Sequence, residues 1–163
     1  MFRFLAAIGF AFVAVAVAST AAGQMQYPLA VAAAQDGTIY VADRHLPGIW
    51  KITDGKPTLF FEGSKNYRTP LNAVRCLAFD RSGALLAGDS ATREVYRMSE
   101  SGEPTPLANG GIGMPMSVAV NSRGELLVAD LELHRIWKVV AGGGKPELLA
   151  EVNAPRGVCV DKE

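Results

Sequence analysis

Gly37-Thr38-Ile39-Tyr40-Val41-Ala42-Asp43, followed by Ile49-Trp50-Lys51-Ile52 and Gly55-Lys56-Pro57, returns twice more in this 163-residue chain. The second copy reads Gly83-Ala84-Leu85-Leu86-Ala87-Gly88-Asp89, Val95-Tyr96-Arg97-Met98, Gly102-Glu103-Pro104. The third reads Gly124-Glu125-Leu126-Leu127-Val128-Ala129-Asp130, Ile136-Trp137-Lys138-Val139, Gly144-Lys145-Pro146. The aspartates Asp43, Asp89 and Asp130 lie 46 and then 41 residues apart, the period of a four-stranded propeller blade.

Working outward, each copy opens at Pro28, Val74 or Pro115, and Pro155 opens a fourth. Larger apolar residues then alternate: Val31 and Ala33, Leu77 and Phe79, Val118 and Val120, Val158 and Val160. A period of two over this length predicts a strand with two unlike faces. The other face holds only small residues, as expected for an innermost strand where blades converge. Hairpin turns are predicted at Gln35-Asp36-Gly37, Arg81-Ser82-Gly83 and Ser122-Arg123-Gly124, because glycine accepts positive φ without steric cost. The aromatic column Trp50, Tyr96, Trp137 is placed to cover seams between blades. Aromatic and β-branched enrichment between Gly and Pro punctuation predicts an all-β fold after residue 23. Blades are expected at about 28–62, 74–108 and 115–150, with the start of the next at 155–163.

Residues 1–23 read as a secretory signal: Arg3, an apolar run over 5–18, then Ser19-Thr20-Ala21-Ala22-Gly23 for a signal peptidase. The run is short for a membrane span, which needs about 20 residues; uncleaved anchoring is the alternative. No cysteine follows the run, which speaks against lipid attachment there. A mature chain starting near Gln24 and a secreted or periplasmic location are expected. Sixteen Lys+Arg balance sixteen Asp+Glu without a basic run, and the pI is about 6.7. Charge-driven binding to nucleic acid or anionic lipid therefore has no support. Cys76 shares a column with Ala30, Ser117 and Gly157, and Cys159 with Ala32, Ala78 and Ala119. Both cysteines thus read as small buried fillers, a disulfide between distant blades being the alternative.

Pro155-Arg156-Gly157-Val158, Tyr40-Val41-Ala42-Asp43, Leu127-Val128-Ala129-Asp130 and His134-Arg135-Ile136 together resemble the NHL family of β-propeller repeats. The pattern is more loosely similar to six-bladed gluconolactonase and strictosidine-synthase-like propellers, a superfamily of lactonases, lyases, sensors and binding scaffolds. The resemblance covers residues 28–163 and implies a larger ring, since six blades at this period need roughly 250 residues. The chain is therefore expected to be an N-terminal piece of a longer protein, with closure by two associating half-rings as the alternative.

Asp43, Asp89 and Asp130 could in principle bind a divalent metal through oxygen. Their presence in every copy favours a structural role instead, accepting backbone hydrogen bonds in the following turn. Function is sought where copies differ. An extra segment between the first two copies carries Lys65, Tyr67 and Arg68, cationic and aromatic groups on a loop. The residue after each opening position is Leu29, Arg75, Met116 or Arg156, and the resemblance implies that this column lies near the channel mouth. Two arginines there suit a carboxylate or phosphate. His45 and His134 do not share a column, and neither has a metal-spaced companion. No nucleophile elbow, phosphate loop or Cys-x-x-Cys occurs.

In gluconolactonase-like propellers the metal site takes an asparagine from a Pro-Asn-Gly turn; here the counterparts are Pro155-Arg156-Gly157 and Pro115-Met116-Ser117. The leading expectation is a scaffold that binds a small molecule, glycan or protein, with no catalytic residue, cofactor or metal of its own. The alternatives are a lactonase-like hydrolase, for which calcium would be needed, and a structural module fused to other domains.

Overall fold

The structure is a computed structural model and describes residues 25–44, 48–64, 66 and 68–161. The signal-like segment 1–23, His45, Lys65 and Tyr67 lie outside the described residues.

Among the described residues, twelve strands form three four-stranded antiparallel sheets, each a simple meander. The first contains β1 (Pro28–Ala33), β2 (Ile39–Asp43), β3 (Gly48–Thr53) and β4 (Lys56–Glu62). The second contains β5 (Val74–Phe79), β6 (Leu85–Asp89), β7 (Glu94–Met98) and β8 (Pro104–Pro106). The third contains β9 (Pro115–Val120), β10 (Leu126–Asp130), β11 (Arg135–Val139) and β12 (Glu147–Glu151). No helix occurs among the described residues. Strand contacts between sheets concentrate on the opening strands, β1 against β5 and β5 against β9. The sheets therefore converge at their first strands and splay outward, as blades do around a hub.

Glycine punctuation acts as predicted. Gly37, Gly83 and Gly124 hold φ of 85°, 85° and 79° in the turns joining the first two strands of each blade. Asp36, Asp80 and Asn121 stabilise those turns by accepting the amides of Thr38, Ser82 and Arg123 at 2.8–2.9 Å.

The small face of each opening strand conserves volume as a pair rather than residue by residue. Ala30 pairs with Ala42, Cys76 with Gly88 and Ser117 with Ala129. The larger thiol is matched by the missing side chain of Gly88, where a Cβ would meet Cys76 Sγ at 2.5 Å. Two apolar cores fill the seams. One gathers Ala42 and Ile49 with Leu71, Leu85 and Tyr96; the other gathers Leu86, Val95 and Ile112 with Val128 and Trp137. Of the aromatic column, Tyr96 and Trp137 thus lie at the seams, whereas Trp50 is buried but belongs to neither core.

Cys76 is a buried filler as expected, but Cys159 is not: it is exposed, and both thiols are free. Residues 155–161 form no ladder among the described residues. They run beside β9, where Ser117 Oγ lies 3.3 Å from Val158 N and 3.4 Å from its carbonyl oxygen. With only β9 on one side, the segment leaves the Cys159 side chain uncovered.

Candidate functional site

The second strand of each blade delivers its aspartate to the lead-in loop of the same blade. Asp43 accepts the amides of Gln26 (2.6 Å) and Tyr27 (3.1 Å). Asp89 accepts those of Leu71, Ala73, Ala91 and Thr92, together with the Thr92 hydroxyl at 2.7 Å. Asp130 accepts the amides of Gly113 (2.7 Å), Met114 (2.9 Å), Glu132 and Leu133, and the Trp137 indole N–H at 2.8 Å. All three carboxylates are buried. Burial pushes the Asp130 pKa up, but hydrogen bonds from Gly113, Met114, Trp137 and Leu133 outweigh it and leave the group below its ordinary 3.8. Asp89 and Asp130 therefore bond the following turn, as expected, and all three aspartates clamp a loop 16–18 residues upstream. Repetition pointed to the first role; the second needs the antiparallel pairing that puts both strand ends together.

Two members of the aromatic column connect to these carboxylates, Trp137 directly and Tyr96 through Thr92. Tyr96 donates to Thr92 Oγ1 at 3.0 Å, and Thr92 in turn bonds Asp89. Trp50 Nε1 is buried without a hydrogen-bond partner among the described residues.

The column of Leu29, Arg75 and Met116 has a geometry the sequence did not announce. Register shifts fall between Pro28 and Ala30, between Val74 and Cys76, and opposite the step from Ala129 to Asp130. Leu29, Arg75 and Met116 are each skipped in the pairing with the second strand. Each is therefore the extra residue of a β-bulge, a device that re-aims a side chain at a strand end. The bulge lies beside the clamp in every blade, since Pro28, Val74 and Pro115 pair with Asp43, Asp89 and Asp130.

Arg75 is half-buried. Its Nε donates to Ser90 Oγ at 3.1 Å, and Ser90 is fixed to the Ala73 carbonyl at 3.2 Å. One edge of the guanidinium is thus anchored, while its terminal nitrogens make no hydrogen bond to described residues. Met116 is half-buried and Arg156 exposed. The two arginines stand on opening segments separated by β9, without contact to each other. Arg68 is exposed with φ of 62°, on a loop tightened by the Asn66 amide to Ser64 Oγ at 3.0 Å and the Thr69 hydroxyl to Asn66 O at 2.8 Å.

Glu94 escaped the sequence reading. It occupies the column of Gly48 and Arg135, and is buried. Its Oε1 accepts the amides of Val95, Leu107 and Ala108 and its Oε2 that of Gly110, at 2.5–3.2 Å. It thereby holds the connection from the second blade to the third. His134, with φ of 56°, accepts the Ala154 amide on Nδ1 at 3.0 Å, a structural contact. Among the described residues no group of three or more His, Cys, Asp and Glu side chains is placed to hold a metal ion.

No known family profile matches the chain, and no curated protein matches it. Solved structures do. Virginiamycin B lyase from Staphylococcus aureus aligns over 77% of this chain and 42% of its own, at 19% identity and a TM-score of 0.62. A streptogramin B lyase aligns over 81% and 44%, at 18% identity and 0.65. A putative gluconolactonase aligns over 74% and 48%, at 13% identity and 0.60. The chain spans less than half the length of each of these proteins. The chain therefore has a β-propeller fold, with three four-stranded blades among the described residues.

Proposed function

We propose that the chain belongs to an exported, NHL-type β-propeller that recognises a small anionic ligand, and that Arg75 and Arg156 supply the charge. The supporting observation is the bulge. It lifts Arg75 out of the strand pairing while Ser90 holds its Nε at 3.1 Å, leaving its terminal nitrogens for a ligand. A guanidinium fixed on one edge loses little freedom when it binds a carboxylate or phosphate. Arg156 follows the corresponding opening proline of the next repeat, and Met116 stands between them as an apolar contact. The loop carrying Lys65, Tyr67 and Arg68 is a second surface for the same ligand or for a larger partner.

Recognition needs no resident cofactor. The lactonase reading is less favoured, because the buried aspartates best suited to a metal already accept backbone amides.

Glucuronate and inorganic phosphate serve as probes, titrated into the protein at low and moderate salt. Arg75→Ala is expected to weaken binding about 10- to 100-fold, as for a lost charged hydrogen bond, with little change in unfolding midpoint. Arg156→Ala should weaken it in the same direction. Equal binding by Arg75→Ala and parent, or no saturable binding of either probe, removes the proposal.

A further inference from the structure

The two seams between blades are held by different forces. Across the second, Arg97 Nη2 donates to the Ala141 carbonyl at 3.0 Å, Arg81 donates to the Ser122 carbonyl, and the Gly144 amide donates to the Leu107 carbonyl at 2.8 Å. Arg93 also meets Glu132 at 2.8 Å. Across the first seam, at the end bearing the hairpin turns, no hydrogen bond or ion pair joins the blades among the described residues. Aromatic rings stand there instead. Tyr40 packs edge-to-face on Phe60 at 5.0 Å and on Phe79 at 5.8 Å. The second seam has Leu86 and Val120 in the columns of Tyr40 and Phe79.

A cavity of about 340 Å³ opens at this point, lined by Tyr40, Phe60, Phe79, Ser82, Arg97 and Glu100 among others. A neighbouring cavity of about 330 Å³ shares Phe79, Ser82 and Gly83 with it. Both lie at the low end of the size range for small-molecule sites. Two lining donors are unused: the Tyr40 hydroxyl and Arg97 Nη1 make no hydrogen bond to a described residue. Arg97 is already neutralised by Asp80 at 2.8 Å, so the site offers hydrogen-bond donors without surplus positive charge. Glu100 at the rim disfavours an anion. Ring edges along the wall favour a flat aromatic guest, because offset and edge-to-face contacts add to simple burial.

We infer that the seam between the first two blades is a binding cleft for a flat, uncharged aromatic molecule carrying a carbonyl-type oxygen. It lies at the opposite end of the strands from Arg75 and is independent of the anion site. Opening this seam to admit a guest breaks no hydrogen bond between the blades at that end.

The test uses Prodan, a neutral naphthyl ketone whose emission moves to the blue in an apolar site. The protein is expected to bind it saturably. Tyr40→Phe, which keeps the ring, should weaken binding about 2- to 10-fold, the worth of one hydrogen bond. Phe60→Leu should weaken it further by removing an aromatic wall at similar volume, and Arg75→Ala should leave it unchanged. Absence of saturable binding overturns the inference. So does equal affinity in parent, Tyr40→Phe and Phe60→Leu, which would place the dye on the exposed sheet faces around Val31 and Leu149.

Discussion

Replacing Asp130 by asparagine changes one atom and strikes the third blade's clamp. Oδ1 accepts the amides of Met114, Glu132 and Leu133, and Oδ2 accepts those of Gly113 and the Trp137 indole. The best asparagine rotamer puts its oxygen at Oδ1 and keeps three of these bonds. Its amide group then faces two donors, Gly113 N–H and Trp137 Nε1–H, and both are left without an acceptor. Gly113 is buried and Trp137 only 8% exposed, so water replaces neither bond readily. At about 1–3 kcal/mol for each buried unsatisfied donor, the loss should be roughly 2–6 kcal/mol. Urea unfolding followed by tryptophan fluorescence reads it. In a Trp137→Phe background one of the two donors is absent, so the same substitution should be milder by about 1–3 kcal/mol. A loss below about 1 kcal/mol, or strictly additive losses in the double variant, would refute this account of the clamp.

Acid should destabilise the fold through the same group and through Asp80. For both, burial raises the pKa, but hydrogen bonds outweigh it and leave the folded value below 3.8. Their contribution is therefore complete above the unfolded value and is lost as pH falls through the depressed folded value. Urea midpoints should hold down to about pH 4 and fall below it, with a shallower fall in Asp130→Asn; parallel profiles for parent and variant would refute the assignment. Thiol labelling provides a separate check on burial. Desolvation raises the Cys76 pKa to about 12, while Cys159 is exposed. A maleimide dye near neutral pH should modify Cys159 quickly and Cys76 only after unfolding; fast labelling of Cys159→Ser would contradict the packing around β5.

Blade architecture was legible because it repeats. Three copies of a glycine turn, an aspartate and an aromatic strand constrain one another, so errors at single positions do not matter. Features made by pairing across strands were less visible. The bulges at Leu29, Arg75 and Met116 are a matter of register, and an unpaired residue looks like its paired neighbours in a linear sequence. Cys159 was misjudged because small residues do not mean full burial: its column mates Ala32, Ala78 and Ala119 are all only half-buried, and Cys159, beside β9 alone, is exposed. Glu94 was missed because an acidic residue near a turn ordinarily faces water. What identifies it is a set of four amides, three of them 13–16 residues downstream.

Glu94 also divides the two connections between blades into unlike kinds of material. With four amides gathered on one carboxylate, the passage through Leu107, Ala108 and Gly110 is a strut of fixed length; an inserted residue there would pull N–H groups off the glutamate. In the stretch around Ser64 and Thr69 the side-chain bonds among the described residues are short-range ones, such as Asn66 to Ser64 and Thr69 to Asn66. Natural variation, and any engineer grafting a recognition loop onto this scaffold, should find room in the first connection and resistance in the second.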